Sequence, residues 1–144
     1  PPRQRSAPEL LLADVELPLA ARSGALELAL AADGDTPVMA QLDLVFDPAE
    51  IELRTQVEAI AALPDLDAGL VEAGRLRVVF GDASSARTPA RLPTGALLRL
   101  PFTIAATATP GTTRVRAVDA IASDATGGPA PISAEGASAT VTRR

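Results

Sequence analysis

The chain has 144 residues, a net charge of −5 and 47% apolar residues, yet only three aromatics: Phe46, Phe80 and Phe102. It lacks Cys, His, Trp, Tyr, Asn and Lys, and all 13 basic residues are Arg, a bias that fits GC-rich coding. These absences exclude disulfides, thiolate nucleophiles, thiolate zinc sites and the commonest general base. The acidic balance argues against a nucleic-acid partner, because the pairs Arg75/Arg77 and Arg114/Arg116 are too small for a basic tract.

Residues Pro1 to Glu9 read as a linker or N-terminal arm, Pro- and Arg-rich without an apolar period, and a domain is expected over residues 10–142. The first residue is Pro rather than Met, which fits a segment processed or excised from a longer chain with its targeting signal elsewhere. From Leu10 the apolar spacing becomes two, the mark of a strand with one buried face. Leu11, Ala13, Val15 and Leu17 are expected inward on a first strand, and Leu26, Leu28 and Leu30 on a second.

The third strand is the clearest: Ala40, Leu42, Leu44 and Phe46 inward, with Met39, Gln41, Asp43 and Val45 outward, ended by Asp47-Pro48. Ile51, Leu53, Thr55 and Val57 give a fourth strand. Residues 59–74 have no clean period and are expected to loop across one end, with room for a short helical turn. After Gly74 a fifth strand places Leu76, Val78 and Phe80 inward and Arg75, Arg77 and Val79 outward. The sixth, about Ala96 to Ala105, buries Leu98, Leu100, Phe102 and Ile104, and its Pro101 predicts an edge or a bulge. Val115 and Ala117 mark a seventh strand, and Ala137, Ala139 and Val141 close the domain. Short period-two segments separated by turns predict an all-β antiparallel sandwich of about eight to nine strands.

The order of these segments resembles the cohesin family, the bacterial receptor modules that bind dockerins. The resemblance rests on MAQLDLVFDPAEIEL (Met39 to Leu53), GRLRVVFGD (Gly74 to Asp82), TGALLRLPFTI (Thr94 to Ile104), PGTT (Pro110 to Thr113) and EGASATV (Glu135 to Val141). It implies a nine-stranded jelly roll, secretion or display on a bacterial surface, and a protein partner (dockerin-like or a second copy). It also implies docking on one sheet face formed by the third, fifth, sixth and last strands. Carried onto this chain, that face presents Met39, Gln41, Asp43 and Val45, then Arg75, Arg77 and Val79, Leu97 and Arg99, and Ser138 and Thr140. Met39 and Gln41 stand where cohesins often carry other polar residues, a departure that bears on dockerin-type recognition.

No catalytic residues are expected: Ser84 and Ser85 have no His partner, and no Gly-rich phosphate loop is present. No cofactor is expected either. Calcium would have to use a site assembled from separate loops, drawing on Asp33/Asp35, Asp65/Asp67 or Asp119/Asp124, since no twelve-residue EF-hand loop occurs. Carbohydrate binding is an alternative that lacks the usual Trp or Tyr platforms. A structural subunit of a surface filament, joined by addition of the N-terminal strand to a neighbour, is the other alternative.

Overall fold

A computed structural model describes residues 7–84 and 88–144; most of the N-terminal arm and Ser85 lie outside the described residues. Among those described there are twelve strands and no helix: β1 (Glu9–Leu12), β2 (Val15–Leu17), β3 (Ser23–Ala31), β4 (Met39–Val45), β5 (Ile51–Leu53), β6 (Glu58–Ala59), β7 (Asp65–Glu72), β8 (Arg75–Gly81), β9 (Gly95–Ile104), β10 (Gly111–Ser123), β11 (Pro129–Ala130) and β12 (Ser138–Arg143). They form two sheets. The first has the order β1-β3-β9-β5, with β6 also on β9; the second runs β2-β12-β10-β4-β8-β7, with β11 also on β10. Every ladder is antiparallel except β2 with β12. This is the expected sandwich; the strands beyond eight or nine are short pieces of two or three residues.

Alternation builds the core. Leu26, Leu28, Leu42, Leu44, Leu76, Val78, Phe80, Leu98 and Leu100 are each fully buried, and Ala139 and Val141 nearly so. Burying one Leu or Phe contributes about 1.5–3 kcal/mol, so the paired inner faces hold the fold without any cross-link.

The first strand departs from expectation. Leu10 and Leu12 are buried while Leu11 is exposed, the opposite phase to the one predicted. The segment is really two strands: β1 pairs with β3 in the first sheet, and after Ala13-Asp14 the chain crosses to pair as β2 beside β12 in the second. A crossing between sheets resets the two-residue period, which is why one phase cannot fit both halves. Leu11→Ser should therefore change the urea unfolding free energy by no more than about 0.5 kcal/mol, whereas the predicted phase demands a core-sized loss.

Residues 59–74 also differ. They contain β6 and the eight-residue β7, which forms a hairpin with β8. β5 is only three residues long; Thr55 is exposed and Val57 half-buried beyond it. Pro101 is not on a sheet edge, because β3 lies on one side of β9 and β5 and β6 on the other. Its carbonyl accepts from the Arg54 N–H (2.9 Å), on the side where the neighbouring chain passes between β5 and β6. Within a strand, N–H and C=O of one residue point the same way, so the missing donor faces this gap in the ladder.

Candidate functional site

The outward face of the second sheet collects most of the residues expected to bind a partner. Pairing sets four rows across β10, β4, β8 and β7. Arg116 stands level with Val45, Arg75 and Glu72; Val118 with Asp43, Arg77 and Gly69. Ile121 is level with Gln41, Val79 and Asp67, and Ser123 with Met39, Gly81 and Asp65. Ser138 and Thr140 continue the face on β12, opposite Arg116 and Arg114.

Two expected members are elsewhere. Leu97 and Arg99 belong to β9 in the first sheet. Leu98 pairs with Leu28 and Ala96 with Ala29, so Leu97 is the extra residue of a bulge. Its side chain is fully buried and its carbonyl accepts from the N–H groups of Ile60 (2.8 Å) and Ala61 (3.2 Å). Arg99 projects from the opposite side of the sandwich, 3.7 Å from Glu58. The placement of both beside β8 is corrected by the pairing of β9.

Asp43 is on the expected face but is not available to a partner. Its carboxylate is only 1% exposed, beneath two guanidiniums. Arg77 donates through Nε (2.9 Å) and Nη2 (3.1 Å), and Arg75 donates through Nε at 2.7 Å. Arg75 also donates through Nη2 to Asp119. The Arg77 hydrogen bonds hold the Asp43 carboxyl below the usual carboxylate range, with Arg75 adding to them and burial opposing. The same bonds raise the pKa of each arginine. Asp43 thus acts as an anchor that lays both Arg forks flat on the sheet, with Arg77 half exposed.

Ile121 was not among the expected site residues, and it is the most exposed large apolar side chain among those described, at 60%. From Val118 to Ile121, β10 advances three residues while β4 advances two. The bulge contains Asp119, whose φ of 54° is a left-handed conformation that Asp tolerates better than most residues. Val115 and Ala117 point inward before the bulge; after it the phase reverses and Ile121 points out. Bulges beside functional sites characteristically re-aim a side chain in this way. A signal was present in the sequence. By strict alternation Asp119 would sit in the core, and a carboxylate there announces a break in phase. Ile121, Met39, Gln41, Val79 and Ser123 line a shallow depression of about 220 Å³.

The acidic pairs considered for calcium are otherwise occupied or dispersed. The Asp65 carboxylate accepts from the Ala83 N–H (2.7 Å). Asp124 accepts from the Thr126 hydroxyl and from the N–H groups of Thr126 and Gly128, which close a turn and lower its pKa, the hydroxyl bond most. Asp119 pairs with Arg75. Among the described residues no three carboxylates gather in a way that could hold a metal ion.

No protein-family model matches the chain, and neither does any curated protein. Solved structures do match. The sixth cohesin of scaffoldin B from Acetivibrio cellulolyticus, solved in complex with a mutant Cel5 dockerin, superposes with a TM-score of 0.76 at 18% identity, over 96% of this chain and 100% of that one. A non-cellulosomal cohesin from the archaeon Archaeoglobus fulgidus gives 0.71 at 13% identity, over 96% and 92%. The cohesin module of a family 33 glycoside hydrolase from Clostridium perfringens gives 0.70 at 11%, over 96% and 98%. The chain therefore folds as a cohesin-like domain, a jelly-roll sandwich spanning nearly the full length of these modules.

Proposed function

We propose that the domain is a non-catalytic docking module that binds a dockerin-like protein partner on the outward face of β10, β4 and β8. The setting we propose is an assembly outside the cell or at its surface. The observation that carries the reading is Ile121: a bulge with a left-handed Asp turns an isoleucine into solvent, beside Met39 and Val79. Alternation alone would have buried it. An apolar spot flanked on one side by the anchored Arg77 and Arg75 on a rigid sheet has the make-up of a protein interface, where Arg and large apolar groups act as anchors. The A. cellulolyticus neighbour, solved with a dockerin bound, supports a protein as the partner.

The alternatives find less support. β1 and β2 are already ladder members of their own sheets, and Leu10 is fully buried; donating them to a neighbour would dismantle this core. All three Phe side chains are in the core, so no aromatic platform is offered to a sugar ring.

The immobilised domain should capture from the source organism a protein with paired calcium-loop repeats, releasable by chelation. Ile121→Glu should weaken that capture tenfold or more, with an unchanged melting temperature because the side chain makes little of the core. Equal binding by Ile121→Glu would refute the assignment of this face.

A further inference from the structure

One edge of the second sheet is open. β7 ends the order β2-β12-β10-β4-β8-β7, and among the described residues no strand pairs with its outer side. The two ends of the β4–β8 ladder show which way the backbone groups point. The Phe46 N–H donates to the Gly74 carbonyl (3.0 Å) and the Asp82 N–H to the Val38 carbonyl (2.8 Å), just outside the pairs Val45–Arg75 and Met39–Gly81. Arg77, Val79 and Gly81 therefore bond away from β4, to Gly69, Asp67 and Asp65 of β7. Leu66, Ala68 and Leu70 alternate with those three, so their N–H and C=O groups point out of the open edge.

Natural edge strands are usually kept short, or blunted by proline or by an inward-pointing charge. β7 has eight residues and no proline, and its inward phase holds only Leu66, Ala68 and Leu70. It also carries two of the exposed large apolar side chains, Leu70 at 56% and Val71 at 47%. The strand is self-complementary about Ala68. With two copies antiparallel and Ala68 opposite the partner's Ala68, Leu66 meets the partner's Leu70 on the inward side, and Leu70 meets the partner's Leu66. On the outward side Asp67 faces the partner's Gly69, so no carboxylate stands directly opposite another. Sliding the second copy by two residues one way sets Asp67 against the partner's Asp67. Sliding it the other way sets Leu66 against the partner's Glu72.

We infer that the domain self-associates through β7, in a two-fold antiparallel pair centred on Ala68 that joins two seven-stranded sheets into one. Leu66, Ala68 and Leu70 of the two copies exchange about six backbone hydrogen bonds. The partner's Leu66 covers the exposed Leu70. A foreign extended peptide finds the same free backbone groups, but the match about Ala68 belongs to a second copy of this chain. The two-fold axis stands perpendicular to the sheet, so the outward faces of both copies look to the same side. The pairing does not depend on what binds to those faces. One added ladder makes a small interface, so the dimer builds up with concentration rather than being permanent.

Sedimentation equilibrium on the full chain should show monomer and dimer in a balance that shifts with concentration. Ala68→Pro removes an N–H that faces the open edge and none that bonds to β8, and it should weaken association tenfold or more. Leu70→Glu, at a side chain already largely in solvent, should do the same, with thermal melts verifying that both variants fold. Gly69→Arg tests the register. Nothing lies within 4 Å of a side chain begun there, and its guanidinium would reach the partner's Asp67 at two symmetric places. Association should tighten about threefold or more, and adding Asp67→Ser should remove the gain. A chain that stays monomeric at every concentration its solubility allows overturns the inference, as does a dimer that Ala68→Pro and Leu70→Glu leave intact. A dimer weakened by Gly69→Arg overturns the register about Ala68. A dimer lost on Ile121→Glu instead would move self-association to the outward face and overturn the edge pairing.

Discussion

Gly81→Ala should destabilise the domain by about 3 kcal/mol or more and lower its melting temperature by about 10 °C. Gly81 closes β8 with φ of +135°, a conformation that side chains rarely adopt. A methyl group there would penetrate the Val38 carbonyl oxygen and lie 2.9 Å from Met39 Cα and Met39 Sδ. Two of those three obstacles are backbone. That backbone is fixed by the pairing of Gly81 with Met39 on one side and Asp65 on the other, and by the Asp82 N–H donating to the Val38 carbonyl at 2.8 Å. Strain at the dihedral and overpacking each cost about 1–3 kcal/mol, and here neither can relax without breaking a ladder. Gly69→Ala is the control, since nothing lies within 4 Å of its added methyl and its φ is unexceptional; it should leave the unfolding midpoint within about 0.5 kcal/mol of wild type. Equal midpoints for the two variants would contradict the packing around Gly81. The missing side chain has a second consequence. It lets Met39 lie over the end of β8, where Met39 lines the depression beside Ile121.

The two-residue period was enough to find the core of nearly every long strand, because side chains of a half-buried strand alternate whatever its partners are. Leu26, Leu28, Leu42, Leu44, Val78 and Phe80 were all legible on that basis. Three single-residue events were not: the crossing at Ala13-Asp14, the bulge at Leu97 and the bulge at Asp119. Each shifts the phase by one, and a shift of one exchanges inside for outside. β7 was missed for another reason. Leu66 and Ala68 are half-buried against the core and alternate with Asp65 and Asp67, but no residue of this edge strand is fully buried and the exposed Leu70 and Val71 after Gly69 break so short a pattern. Sheet membership was illegible as well. Arg99 has the outward phase expected of it, but alternation says nothing about which sheet β9 joins, and it joins the one opposite β4 and β8. The outward face of the second sheet was therefore legible on β4 and β8. It was illegible on β10, where a bulge rather than a pattern determines which side chain meets solvent.

The anchor beneath that face should reveal itself through acid. Asp43→Ala removes a carboxylate that is 1% exposed and leaves Arg75 and Arg77 side by side without it. Breaking a fully buried pair costs about 3–5 kcal/mol. Here the arginine side chains are 27% and 47% exposed, so water recovers part of that, and about 2 kcal/mol is expected. Asp119→Ala, at a carboxylate 72% exposed, should cost less than about 0.5 kcal/mol. The pH dependence follows from the direction of the shift. The folded Asp43 carboxyl titrates below its ordinary value because Arg77 and then Arg75 bond its ionised form, whereas the unfolded chain takes up that proton near pH 4. Above about pH 5 both states are ionised and the contribution is complete. As pH falls through the unfolded value, the unfolded chain binds the proton first, so stability is lost until the folded carboxyl is protonated too. Asp43→Asn has no proton to bind there and lacks this loss. The gap in urea unfolding free energy between wild type and Asp43→Asn should be constant from pH 7 to 5 and shrink steadily below pH 4. The comparison cancels the other acids, which titrate in both proteins. A gap of the same size at pH 2.5 as at pH 7 would mean that the two arginines do not hold Asp43 in its ionised form. They would then be free to move, without the fixed orientation that Asp43 gives them on the outward face of β8.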